Sequence, residues 1–261
     1  MTKAPLVSLR NISKSFSNGV RVLDDYTLDI HTGETLTLLG PSGCGKSTVL
    51  RLIEGLIQPS AGEIVWRDAN IKNNLGAVFQ EPTLLPWANV FDNVYLPLRL
   101  RGTPRVKARQ NVEEALANVG LSDFAFALPR ELSGGMKMRC AIARALVTKP
   151  TIILLDEPFA ALDEVTRFRL NDDLLQLKKL LSSTIIFVTH SVFESAFLST
   201  RIIVMSKTGG RIIDEINVEP TIGRDENFRL SPLFQEISRR ATMSLKRSLD
   251  QNINLTSSDP Q

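Results

Sequence analysis

Gly40-Pro41-Ser42-Gly43-Cys44-Gly45-Lys46-Ser47-Thr48 fits the pattern G-x-x-x-x-G-K-[ST], and it lies between an apolar run, residues 35–39, and a segment of helical spacing, residues 49–57. A strand that turns through glycines straight into a helix needs a sheet edge where strand C-termini meet helix N-termini. Open α/β sheets provide that edge. The glycines let successive backbone N–H groups turn inward around phosphate oxygens, and the helix start adds partial positive charge. Lys46 is then expected to bridge the outer phosphates and Ser47 to offer its hydroxyl to Mg2+. By itself the loop implies a nucleoside triphosphate and leaves GTPase, small-molecule kinase and transport ATPase open. The chain has no Asn-Lys-x-Asp guanine reader, so ATP is the expected nucleotide. Cys44, beside this cationic loop, reads either as a small residue filling a turn or as a reactive thiol under the nucleotide.

The rest of the chain supplies the sheet. Residues 152–155, 185–188 and 202–205 are short apolar runs of the kind buried on both faces of a parallel sheet. Residues 6–16, 20–30 and 62–66 alternate instead, as a half-wetted antiparallel sheet does. Ala108, Val112, Leu116 and Val119 share one helical face after Pro104, and Leu170, Leu174, Leu177 and Leu181 share another. The expected fold is α/β: a P-loop ATPase core with a parallel sheet, an N-terminal antiparallel β subdomain and an inserted helical subdomain. Residues 1–88 and 150–218 are expected to form the ATP-binding core with the antiparallel part, residues 89–149 the helical insertion, and residues 219–261 a C-terminal helix and tail. That helix starts at Ser231-Pro232, a capping residue followed by proline. Phe234, Ile237, Ala241, Leu245 and Leu249 form its apolar stripe, to be docked on the domain or laid on a membrane surface.

Composition narrows the setting. Two cysteines in 261 residues give no sign of an oxidising compartment. No apolar run approaches the roughly 18 residues of a membrane span, and Met1 to Pro5 carries no signal-peptide core, so a cytoplasmic location is expected. A formal charge of +3, not gathered into a basic run, is only weak support for a nucleic acid partner and does not exclude one; none is expected.

Two acids close the run Thr151-Ile152-Ile153-Leu154-Leu155-Asp156-Glu157, at the strand edge where ligands sit in such sheets. Asp156 suits the metal side. Glu157, one step on and on the opposite face of the pleat, suits the orientation and deprotonation of a water. His190 ends residues 185–188 in the same way. Leu132-Ser133-Gly134-Gly135-Met136 precedes a helical run at 137–147, and its capping serine and paired glycines make a second anion-binding helix start. Two copies packed head to tail would place Ser133, Gly134 and Gly135 of one over the phosphates held by Lys46 of the other.

The phosphate loop, Gln80 after residues 75–79, Leu-Ser-Gly-Gly at 132–135, the acids at 156–157, Ala161-Leu162-Asp163 and His190 occur in this order, and over residues 5–218 the sequence resembles the ATP-binding subunits of ABC transporters. The resemblance implies further roles. Gln80 would sense Mg2+ and water, Asp163 would cross the dimer interface, His190 would contact the γ-phosphate, and Phe16 would stack on adenine unless it is a core aromatic. Met136 and Ala160 depart from the family's usual glutamine and serine. Glu81-Pro82-Thr83-Leu84-Leu85-Pro86-Trp87-Ala88-Asn89-Val90, within the 81–95 region, lies where importers of the family receive a transmembrane permease subunit, although Trp87 also reads as local core. These stretches, with Glu-Pro-Phe-Ala-Ala-Leu-Asp and residues 224–239, look like the nitrate/sulfonate/taurine group of importer ATPases. The resemblance then implies ATP and Mg2+ as cofactors, a homodimer on the cytoplasmic face of the membrane, and a solute-binding protein as an indirect partner. The alternatives are an importer ATPase for a thiamine-precursor pyrimidine, a soluble ABC-type assembly factor, and a small-molecule kinase, which would leave the Leu-Ser-Gly-Gly stretch unexplained.

Overall fold

The computed structural model describes residues 4–181, 183–219 and 224–250. Along the chain run β1 (Val7–Ser15), β2 (Arg21–Ile30), β3 (Thr35–Leu39), α1 (Lys46–Ile53), β4 (Ala61–Trp66), α2 (Ala69–Lys72), β5 (Leu75–Val78), α3 (Val90–Leu100) and α4 (Arg105–Asn118). They are followed by α5 (Gly134–Leu146), β6 (Ile152–Asp156), α6 (Glu164–Leu180), β7 (Thr184–Thr189), α7 (Val192–Leu198), β8 (Arg201–Met205), β9 (Ile212–Asn217), α8 (Glu226–Arg229) and α9 (Pro232–Asp250). The elements gather into two compact units, Met1–Asn73 with Thr184–Gln261, and Asn74–Ser183.

In the first unit β2, β1 and β4 form an antiparallel sheet in that order, with Val7 opposite both Ile30 and Trp66. Tyr26, Leu28 and Ile30 alternate inward along β2, as the sequence spacing requires. β3 lies between β7 and β8 as parallel neighbours. All residues of β3 and β7 are buried, which is why they read as continuous apolar runs. The helix after the loop is shorter than its pattern: α1 stops at Ile53, and Gly55 at φ +75° lets Leu56 N–H turn back to Arg51 O.

Two features of this unit differ from the sequence reading. β9 pairs antiparallel with β8 although Asp214 and Glu215 interrupt its apolar pattern. Asp214 is the anchor for the C-terminal helix: it accepts Arg240 Nη2 at 2.8 Å and Ser244 Oγ at 2.7 Å, and the Arg240 bond holds its carboxyl below the usual carboxylate range. α9 is capped by Ser231, whose Oγ accepts Phe234 N–H at 3.1 Å, and Phe234, Ile237 and Ala241 are buried. The inward stripe then continues through Ser244 and Ser248 rather than Leu245 and Leu249, which is exposed. Ser248 satisfies its hydroxyl on Leu245 O at 2.6 Å.

In the second unit β5 and β6 are parallel, Val78 opposite Leu155. Helices α3, α4 and α5 pack together through Val90, Val94, Leu98, Ala108, Val112, Leu116, Cys140 and Ala141. Helix α5 starts at Gly134, three residues before the expected 137, because Ser133 accepts Met136 N–H at 3.3 Å and caps it there. Leu170, Leu174 and Leu177 are buried along α6, while Leu181, beyond the helix end, is half-buried. An Arg139–Asp173 ion pair at 2.6 Å ties α5 to α6.

Candidate active site

The phosphate loop leaves β3 at Leu39, and Leu39 pairs with Thr189, so Gly40 and His190 leave neighbouring strands at one sheet edge. Gly45 precedes α1 at φ +102°, a conformation that favours glycine, and no side chain caps the helix start. The first-turn N–H groups are therefore presented in the way an anion requires. Lys46 is 4% exposed, and its Nζ donates to Gly40 O at 2.9 Å and Pro41 O at 3.1 Å. The cation is thus fixed on the loop that it serves. Ser47 and Thr48 are half-buried on the first turn of α1, whereas Ser42 and Gly43 are exposed at the tip. Cys44 is buried, its Sγ turned under the loop toward Gly40. The reactive-thiol reading therefore gives way to that of a turn filler. The other cysteine, Cys140, is pushed up to about 12 by burial.

His190 is exposed just past the buried β7. Phe16 is 38% exposed on a turn closed by Phe16 N–H to Val20 O at 3.0 Å, with Lys14 Nζ 5.4 Å from its ring centroid. Val20 and Val22 share a cleft with Gly43, so this turn borders the phosphate loop. Phe16 is not a core aromatic.

The second unit carries the acids and the second glycine pair. Gln80 lies exposed two residues past β5, and Asp156 ends β6 half-buried, so both emerge at the C-terminal edge of the same strand pair. Glu157 departs from expectation. The strand ends at Asp156, and Glu157 takes φ +46° to open a turn closed by Ala160 N–H to Glu157 O at 3.2 Å. Its direction is set by that turn, not by pleat alternation. A non-glycine residue in this region is strained, and such strain gathers at functional sites.

Ser133, Gly134 and Gly135 open α5 beside the turn that opens α6. A Cβ on Gly134 would lie 3.4 Å from Leu162 Cδ2, and one on Gly135 would lie 2.8 Å from Thr166 Cγ2. Asp163 caps α6 by accepting Thr166 N–H at 2.9 Å, and the Thr166 bonds hold its carboxyl below the usual range. The structure thus brings Ser133–Gly135 and Asp163 together within one unit.

Two residues that matter here carry no sequence signal. Arg144, on α5, donates to Thr83 O and Pro82 O at 2.8 Å each, pinning the chain just after Gln80. Asn93 is fully buried and accepts Leu85 N–H at 2.7 Å while donating to Ala88 O at 2.9 Å and Asn89 O at 3.0 Å. Between these clamps Trp87 stands 77% exposed and is not local core. Arg144 reaches far back along the chain, while Asn93 acts on backbone groups only a few residues before it.

The glycine loop on a parallel-sheet edge, its fixed lysine and the strand-end acids define a P-loop nucleoside triphosphatase. The ABC transporter family model matches residues 23–160, and the chain belongs to that family as an ATP-binding, ATP-hydrolysing subunit. It is 43% identical over 243 residues to the aliphatic sulfonates import ATP-binding protein SsuB 1 of Pseudomonas savastanoi pv. phaseolicola, covering 93% of this chain and 97% of that protein. Among solved structures it resembles cbiO1 of Clostridium perfringens, part of the ABC transporter complex cbiONQ, with a TM-score of 0.75, 27% identity, and coverage of 94% and 97% of the two chains. It also resembles the dimeric post-hydrolysis state of the ATP-binding cassette MJ0796 bound to ADP and Pi, with a TM-score of 0.70, 33% identity, and coverage of 81% and 98%. No helix among the described residues is long and apolar enough to cross a membrane.

Proposed function

We propose that this subunit energises the import of a small solute of the sulfonate class through a partner permease, working as a dimer of two copies on the cytoplasmic face of the membrane. The solute class comes from the SsuB relative, and the dimer from the form of the MJ0796 relative. The observation that carries the coupling role is the segment around Trp87, an exposed indole on a loop fixed from both ends by Arg144 and Asn93. A rigid loop presenting a large apolar side chain is a docking surface. Residues 81–95 are accordingly assigned to the permease, and a solute-binding protein acts indirectly. The domain assignment, a core of 1–88 and 150–218 with residues 89–149 inserted, belongs to the same proposal.

Within each site, loop amides from Gly40 to Thr48 and Lys46 hold the phosphates, and Phe16 stacks on the base. Glu157 takes the proton of the water that attacks the γ-phosphorus as the bond to the ADP oxygen breaks. Lys46 and His190 offset charge on the transferred group. Ser133, Gly134, Gly135 and Asp163 of the second copy close over the nucleotide. Ser47, Asp156 and Gln80 are oxygen donors of the type a hard divalent cation takes; Mg2+ held by them would supply positive charge that offsets that of the phosphates.

The test uses tagged Glu157→Gln protein, recovered from mild-detergent extracts of its own cells with and without ATP. A multi-span permease that co-purifies is the expected result. Recovery from the soluble fraction alone, with a cytoplasmic scaffold, would overturn the importer reading and leave the ATPase chemistry standing.

A further inference from the structure

A buried carboxylate stands next to His190 and has no part in the chemistry above. Glu194 is 6% exposed, inside α7. Its Oε2 accepts Thr189 Oγ1 at 2.5 Å; Thr189 Oγ1 accepts Ser191 N–H at 2.9 Å; and Ser191 Oγ accepts Glu194 N–H at 3.3 Å. The three bonds form a ring that ties the residue before His190 to the residue after it, and Glu194 closes it. Packing does not account for an acid here, since an apolar side chain would fill the space without the cost of burying a carboxylate. Ser191 caps α7 and Glu194 holds the position of a capping-box acid, but Ser191 N–H donates to Thr189 Oγ1 and the Glu194 carboxylate accepts that hydroxyl.

We infer that Glu194 and Thr189 are positioning residues that clamp the 189–191 turn and so fix the aim of the His190 imidazole at the phosphate-loop edge. The inference rests on the assignment of His190 to the γ-phosphate. Thr189 is the last residue of β7, opposite Leu39, so its own position is set by the ladder. His190 follows the ladder's end, and the ring closes across its backbone from Thr189 to Ser191. A group that must meet a transferring phosphoryl loses rate when it is misplaced by about 1 Å. ATP affinity, which lies with Lys46 and the loop amides, does not depend on the clamp.

The test compares two conservative pairs in the full chain. Thr189→Val keeps shape and removes the hydroxyl, while Thr189→Ser keeps it; Glu194→Ala removes the acceptor, while Glu194→Gln keeps an oxygen for Thr189. Thr189→Val and Glu194→Ala are expected to lower kcat about tenfold or more with KM for ATP within about twofold, and Thr189→Ser and Glu194→Gln to recover most of the rate. The chain has two histidines, so NMR reads the clamp directly: the His190 imidazole resonances should move in the two damaging variants while those of His31 stay. An unmoved His190 signal or an unchanged kcat in Thr189→Val, which replaces one side chain by another of its own shape, overturns the inference even if Glu194→Ala fails to fold. His190→Ala is measured alongside. If it turns over as fast as the parent, the γ-phosphate assignment falls; if it is slow while the clamp variants are not, the clamp alone falls.

Discussion

Gly135→Ala should cripple hydrolysis for a reason that lies inside its own subunit. Gly135 sits in the first turn of α5 with no left-handed φ, so its backbone suits any residue, and alanine would improve helix propensity by up to about 1 kcal/mol. Space decides otherwise. The added Cβ would lie 2.8 Å from Thr166 Cγ2, about 1 Å inside an unstrained carbon–carbon contact. Relief requires the starts of α5 and α6 to part, at an overpacking cost of about 1–3 kcal/mol. If the Ser133–Gly135 amides meet a γ-phosphate as proposed, displacing them should reduce kcat by about tenfold to a hundredfold. Thr166→Ser removes the obstructing methyl and keeps a hydroxyl for Asp163, so the double variant Gly135→Ala/Thr166→Ser should regain most of the lost rate and melting temperature. ATPase rates at saturating ATP and thermal melts of the three variants decide the matter. A double variant no faster than Gly135→Ala would mean that glycine is required by the approach of the second subunit's nucleotide, and the intramolecular account would be wrong.

Lys46→Ala removes the ammonium that is fixed to Gly40 O and Pro41 O; losing charge-assisted bonds of about 1.5–3 kcal/mol should weaken ATP binding by about tenfold to a hundredfold, and an unchanged Kd in titration calorimetry would remove Lys46 from phosphate binding. Asn93→Ala strips four hydrogen bonds from the Trp87 segment. With each stranded, partly buried group costing about 1 kcal/mol, the melting temperature should fall by at least about 4 °C, and permease-stimulated ATPase should fall further than the basal rate. Equal loss of both rates would show that this segment does not carry coupling.

The phosphate loop, the two flanking elements and the strand-end acids were legible because each is written in consecutive residues: an apolar run, a glycine turn, a helical spacing. Of the antiparallel strands, β2 was legible for the same reason, since its period of two is local, whereas β1 is broken by register shifts and β4 is not alternately buried. β9 was not legible, because the acids that break its pattern have partners far along the chain. Asp214 meets Arg240 and Ser244, and Glu215 meets Arg201. The α9 stripe misled at its far end for that same contact: Ser244 turns inward to reach Asp214, and Leu245 and Leu249 give way. In the candidate site, Arg144, Asn93 and Glu194 stayed hidden because they act on backbone groups or on turns, and no residue type at a fixed spacing announces that.

Glu157 shows what a strand pattern cannot say. Counting along the pleat sets Asp156 and Glu157 on opposite faces, but the count holds only while the chain is extended, and it stops being extended one residue too early. Glycine would relieve φ +46° at this position and asparagine would tolerate it better; an acid there costs about 1–3 kcal/mol that the following turn must offset. What the strained conformation provides is a break in direction, so that two adjacent carboxylates need not share one line of approach. On the proposed mechanism the one at the strand end would serve a cation and the one on the 157–160 turn a water. The sequence reading parted the two acids by the pleat; in the structure a left-handed residue turns the chain between them, and relaxing that residue is a different perturbation from removing its carboxylate.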